Sequence, residues 1–536
     1  MLIAAWSLTL SAIVLAQDIA VTDLGRVDPF EVGVNPVLPD TVWSSGHADT
    51  LRAVFSRLPD PHDTGWTHAS AARLALQALQ SSGAPPRATE DTFALAALRA
   101  DQVLSAGGAP MAYALLERTP RVNESDRLTR VFVESAFAIG RTSDACRASD
   151  ALLAGRGATY WLRVRAVCLA LDGAIAAAEL TAELARLQSP DPGFDVLFNV
   201  YTLDGPLETV PAPRNVLELA LMTALAPGAQ ITLSEEAPPW LHTAAARTAP
   251  IAELSPIVSE ALEVAVSLWG VDRERALDQL IRQDFDREIA AEALAIRLSE
   301  SAEAGRFVEI SRLHGPELGR LPVTGDTLAH GARFVLAALA ADDVSVAEHW
   351  REALLNGPPA PEPVVQSPPA FVTLPGPAAL IPPSDAQTPP EQVEWVQPDP
   401  GVLVALDFAR AIALGQINDD AFMALLVARI EKATPERLCQ AAGLVALGAD
   451  DQGQLLEALS GSIPARNALS PPVYGPLMLA AGRQALGETQ LLAAALLERH
   501  HDDAGACATA MLALDHVGLR ASALTYLLER VIEDAA

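Results

Sequence analysis

Three glycines at one spacing constrain this chain most. Gly107, Gly140 and Gly173 stand 33 residues apart, and five residues after each comes an alanine, at Ala112, Ala145 and Ala178. Each glycine follows an apolar run, as in Phe137-Ala138-Ile139-Gly140 and Leu169-Ala170-Leu171-Asp172-Gly173. Glycine suits the left-handed turn that closes a helix C-terminus, and a small residue on the next helix lets two backbones come close. Apolar periodicity on either side predicts helices over Leu128–Ile139, Ser143–Leu153, Tyr160–Leu171 and Ala174–Leu187. A helix–turn–helix unit cannot bury its apolar face alone, so such units stack on one another.

The rhythm recurs on both sides of a break. Upstream, helices are expected at Ala48–Leu58, Ala69–Leu79, Asp91–Ala106 and Met111–Glu117. Gly270 and Gly305 are 35 apart, Gly415 and Gly448 are 33 apart, and Gly518 follows Gly487 by 31. Leu414-Gly415, Leu447-Gly448 and Leu486-Gly487 read as three helix ends of one type. The last helix, Ala521–Ile532, ends almost at the terminus and is expected to cap the array. A hairpin of about 33 residues resembles the tetratricopeptide repeat. The Trp, Tyr and Pro positions of that repeat are absent, so the likeness is one of architecture. The expected fold is all-α, an α-solenoid of stacked, tetratricopeptide-like helical hairpins with a proline-rich irregular insertion.

At 536 residues the chain exceeds one compact core. Half of it is hydrophobic but only 5% is aromatic, and the alanine that makes up the balance favours closely approaching helices. Residues 1–16 read as a secretory signal peptide: an apolar run ends in Val14-Leu15-Ala16, a small-residue cleavage pattern, although no Lys or Arg precedes it. Residues 17–47 form an extended arm broken by Pro29, Gly33, Pro36 and Pro39. A helical-repeat domain covers 48–356 and a second covers 401–536. Between them, 357–400 holds 14 of the 40 prolines, which excludes regular helix through most of it. Phe371, Leu374, Ile381 and Trp395 lead to the expectation that part of this linker lies against the helical body.

The net charge of −30, with Lys432 the only lysine, argues against nucleic acid, whose phosphates demand clustered cations. It argues equally against an anionic membrane surface. Beyond residue 16 no stretch is long and apolar enough to span a bilayer.

Four cysteines in an exported chain suggest disulfides. Cys146 and Cys168 sit on neighbouring helices and can pair across the turn Ala154–Thr159. Cys439 and Cys507 form a second candidate pair, with a weaker argument because their helices are not adjacent. His500-His501-Asp502-Asp503 is the one cluster of metal-type residues, but adjacent histidines rarely face one ion, and a polar turn between helices is the expectation. Asn123-Glu124-Ser125 matches a glycosylation sequon and reads better as a helix start. The tryptophans, among them Trp43, Trp66, Trp161, Trp240, Trp269 and Trp350, are expected mostly in the core or in grooves. There is no G-x-S-x-G elbow, Walker loop, dinucleotide fingerprint or H-E-x-x-H. No catalytic, cofactor-binding or metal-ligating residue is therefore assigned, and no cofactor is implied.

Leu38-Pro39-Asp40-Thr41-Val42-Trp43, Leu51-Arg52 through Leu58-Pro59, Cys146, Tyr160-Trp161-Leu162-Arg163-Val164-Arg165-Ala166-Val167-Cys168 and Asp191-Pro192-Gly193-Phe194 form a set over residues 38–200. It resembles a family of uncharacterised, Ala-rich alphaproteobacterial secreted proteins often labelled "antifreeze glycopeptide" proteins. The label points to ice binding, while the periodic Ala-Thr array of ice-binding peptides is absent here. The leading expectation is a non-catalytic, periplasmic or secreted scaffold that binds an envelope protein or peptide. The alternatives are a cell-wall-acting enzyme with a superhelical body and an ice-binding protein.

Overall fold

The structure is a computed structural model, described over residues 27–34, 38–203, 205–206, 210–227, 229, 231–248, 258–282, 286–358, 398–430, 434–449 and 471–536. The expected signal segment and most of the proline-rich segment lie outside these residues. Among the described residues there are 25 α-helices and no strand, and a single backbone bridge joins His47 to Arg87.

In chain order, the first ten helices are α1 (Ala48–Phe55), α2 (Ala69–Leu79), α3 (Thr92–Arg118), α4 (Asp126–Ala138), α5 (Thr142–Ala151), α6 (Thr159–Leu171), α7 (Ile175–Gln188), α8 (Pro192–Leu203), α9 (Val216–Leu225) and α10 (Pro239–Thr248). The glycine logic is visible between α4 and α5 and between α6 and α7. Gly140 and Gly173 adopt φ of 75° and 80°. The N–H of Arg141 donates to Ala136 O at 2.8 Å and that of Ala174 to Leu169 O at 2.8 Å, each bond closing off the carbonyls of a finished helix. Ala112, Ala145 and Ala178 are all fully buried, so the shared small residue does face a neighbouring helix. Consecutive helices from α3 to α7 pack pairwise.

The first of the three glycines differs in detail. The left-handed residue is Gly108 (φ 74°), not Gly107, and with Pro110 it kinks α3 between the two helices expected there. Gly107 is needed for space instead, since a Cβ there would lie 3.0 Å from Leu76 Cδ1 and from Met111 Cβ.

The remaining helices are α11 (Val258–Ser267), α12 (Gly270–Arg282), α13 (Arg287–Glu303), α14 (Phe307–Leu313), α15 (Gly315–Leu318), α16 (Gly325–Leu328), α17 (Gly331–Ala340), α18 (Val344–Asn356), α19 (Pro400–Ala413), α20 (Asp420–Ile430), α21 (Pro435–Ala446), α22 (Pro471–Gly482), α23 (Leu486–Arg499), α24 (Ala504–His516) and α25 (Arg520–Ala535). Leu486-Gly487 begins α23 instead of ending a helix. Its glycine serves a close approach: the Gly487 N–H donates to Val42 O at 3.0 Å, and a Cβ there would sit 2.9 Å from the Trp43 ring. The turn before it is made by Gln484, at φ 58°.

The hairpins before and after residues 357–400 share one apolar core. Helix α25 was expected to cap an end, yet it is central, packing against α2, α14, α17, α19, α21 and α24. Its buried residues Ser522, Ala523, Tyr526, Leu527, Leu528, Glu529, Val531 and Ile532 fall on nearly every side of the helix, the pattern of an enclosed helix and not of an end cap. Glu529 is the polar pin of this junction, for its Oε1 accepts from Arg73 Nε of α2 at 2.9 Å and forms an ion pair with Arg312 Nη2 of α14 at 2.9 Å.

The N-terminal arm is built into the same core. Phe30 and Trp43 are buried and meet edge to face at 5.4 Å. Arg99 of α3, itself buried, holds the arm by donating to the carbonyls of Pro29, Val32, Leu79 and Ser81 at 2.7–3.1 Å. Burial pulls its pKa down to about 9, so it stays charged at neutral pH.

Candidate functional site

Helices α3, α4 and α6, with His62 of the α1–α2 connection, line an open cleft of 570 Å³. Ser125 starts α4 by accepting the Leu128 N–H at 3.3 Å, and from there Arg127, Arg130 and Glu134 fall on one helix face. Arg127 donates through Nε and Nη2 to Asp101 Oδ2 of α3 at 3.1 and 2.7 Å. Arg130 donates through Nε to Glu134 Oε1 at 2.7 Å, and its guanidinium carbon sits 4.4 Å from the ring centre of Tyr160 on α6. The carboxylates lie behind, with side chains 10% and 7% exposed, while the two arginines stand forward at 54% and 50%.

Burial raises the Asp101 carboxyl above its ordinary range, against the pull of Arg127. Burial, then the Glu134 charge, holds the Tyr160 phenol well above its usual value, so Tyr160 keeps its proton. Its Oη is buried beside Glu134 and Arg130. No side chain caps α6, whose opening residues Ala158, Tyr160 and Trp161 line the cleft. Chemically the cleft is a seat of hydrogen-bond donors backed by buried carboxylates. Each carboxylate already holds an arginine, which favours positioning over proton transfer.

A second feature lies on the next hairpin. Leu180, Leu184 and Leu187 of α7 are 65%, 48% and 73% exposed. With the exposed Ala177 they occupy the a and d positions of two heptads. One flank of this face is charged, with Glu179 and with Glu183 paired to Arg186. Val196 and Leu203, seven residues apart on α8, are also exposed.

Both cysteine pairs are joined. Cys146 on α5 and Cys168 on α6 have Cα atoms 5.6 Å apart, and Cys439 on α21 and Cys507 on α24 are at 5.3 Å. Helices α21 and α24 turn out to be close neighbours, which their separation in sequence concealed. In the His500–Asp503 turn, Asp503 caps α24 by accepting the Ala506 N–H at 2.8 Å, and His501 stacks on His68 at 3.8 Å. Asn123 lies in a short 3-10 turn ahead of α4, its Nδ2 donating to Ala151 O at 3.2 Å. Trp43, Trp161, Trp240 and Trp350 are buried, but Trp269 is 87% exposed at the turn into α12.

Sequence reasoning did not assemble the cleft. The Arg130/Glu134 spacing was readable as a helical ion pair, but nothing local announces that Asp101 meets Arg127. The α7 seam was readable, since Leu180, Leu184 and Leu187 repeat at coiled-coil spacing. The chain matches no protein-family model, no curated protein and no solved structure.

Proposed function

We propose that this is an exported α-solenoid of tetratricopeptide-like hairpins that holds a partner protein of the bacterial envelope by one of that partner's helices. The observation that carries the reading is the leucine seam on α7. Burying one such side chain contributes roughly 1.5–3 kcal/mol, and three on one helix face form a ready groove-side anchor set for an amphipathic helix. Glu179 beside this face and the net charge of −30 favour a partner with basic residues beside its apolar stripe over a second copy of this chain. The left-handed glycines Gly140, Gly173, Gly415 and Gly448 support the repeat reading. The two disulfides support an oxidising compartment, periplasmic or secreted. No helix among the described residues is long and apolar enough to cross a membrane.

A photo-crosslinking amino acid at position 184, in protein expressed in its native host, tests this. One discrete heterologous adduct is expected, lost when Leu180 and Leu187 are changed to Ser. An adduct at twice the chain mass, or none at all, contradicts the reading.

A further inference from the structure

We propose that the cleft between α3, α4 and α6 binds an organic carboxylate, seated between the guanidiniums of Arg127 and Arg130. The two arginines are three residues apart on α4, one helical turn. Each is anchored at its Nε by a carboxylate at least nine-tenths buried, Asp101 or Glu134. A guanidinium fixed by a buried partner keeps its remaining N–H groups in one direction, and that fork geometry matches a carboxylate. The first turn of α6, which no side chain caps, also borders the cleft, and an anion is the natural cap for such a turn.

The charge balance selects the kind of anion. Asp126 also lines the cleft, and its Oδ1 accepts the Arg127 N–H at 2.8 Å. Three carboxyls and His62 thus stand around two arginines, which disfavours a multiply charged phosphate far more than a single negative charge. A volume of 570 Å³ far exceeds one carboxylate and lies in the range of sites for organic ligands. Val131 and Trp161 line it as apolar wall, so the ligand carries an apolar or mixed body behind its acid group. A free organic acid and the C-terminus of a peptide share this chemistry. The proposal rests on the cleft alone and does not depend on the α7 seam.

The test is calorimetric titration of the full chain with N-acetylphenylalanine and its amide, with a random N-acetylated hexapeptide pool ending in free acid or amide, and with inorganic phosphate. At least one free acid is expected to bind roughly tenfold or more tighter than its amide. Arg130→Gln is expected to lose that preference and Arg130→Lys to keep part of it. Arg147→Gln, an exposed change on α5, leaves it intact. Circular dichroism confirms that each variant is folded. Binding of the small acid identifies a free organic acid; binding of the pool alone identifies a peptide terminus. Equal affinity for acid and amide, phosphate binding tighter than either, or no saturation by any free acid at about 10 mM overturns the proposal.

Discussion

Arg99 shows what a single residue does here. Its guanidinium is enclosed by four carbonyls and by the faces of Phe30 and Trp43, at 5.4 and 5.5 Å. Deleting it leaves buried acceptors without donors, each costing about 1–3 kcal/mol. Arg99→Met is therefore expected to lower unfolding stability by about 3 kcal/mol or more, read from the urea midpoint; a loss under about 1 kcal/mol contradicts the role assigned to it. His68 makes a pH-dependent contribution. Burial, then the His501 charge, depresses its pKa below the usual value of 6.5. The folded state thus prefers neutral His68, so its contribution is present above pH 6.5 and is lost as pH falls from there toward the folded pKa. Glu488 and Glu533 act oppositely, because burial raises both above their usual value and acidification through their folded pKa favours the fold. The His68 part is isolated by difference: His68→Asn should lose less melting temperature than the native chain between pH 7.5 and 5.5. Parallel profiles would contradict it.

At the level of elements, most helix ends could be anticipated because glycine turns and capping residues act locally. Gly140, Gly173, Gly415 and Gly448 all take the left-handed conformation at a turn after a helix. What misled was a glycine chosen for tertiary reasons. Gly487 looks like a helix end beside Leu486, but it admits the Trp43 ring from a segment more than 400 residues earlier, and no local pattern encodes that. The same limit hid the cleft, whose Asp101–Arg127 contact joins α3 to α4. Gly487→Ala should cost about 1–3 kcal/mol through overpacking, whereas Gly157→Ala, with nothing within 4 Å of the added methyl, should be near neutral in the same denaturation assay. The Cys146–Cys168 bridge closes a span of 22 residues between α5 and α6, for which chain entropy gives about 3 kcal/mol. Replacing both cysteines by serine should lower the melting temperature and loosen hydrogen exchange in α5 first. An unchanged melting temperature would mean that packing alone holds this hairpin.

For the whole molecule, the all-α class was readable from composition and period, and the meeting of early and late hairpins was not. Contacts between α2 and α23, such as Gln490 Nε2 donating to Leu74 O at 2.8 Å, join residues far apart in sequence and follow from no local signal. The junction makes stability cooperative between segments that the proline-rich stretch separates. Helix α25 carries that coupling through its apolar surface and through Glu529. Removing Glu529 takes away the acceptor that Arg73 and Arg312 share, while Glu533 and Asp342 stay within 3.6 Å of them, a loss of about 1–3 kcal/mol. Hydrogen exchange on the full chain carrying Glu529→Ala tests this closure most directly. The expected result is faster exchange in α2 and α14 as well as in α25, although α2 lies more than 400 residues away. Faster exchange confined to residues 401–536, with α2 and α14 unchanged, would contradict it.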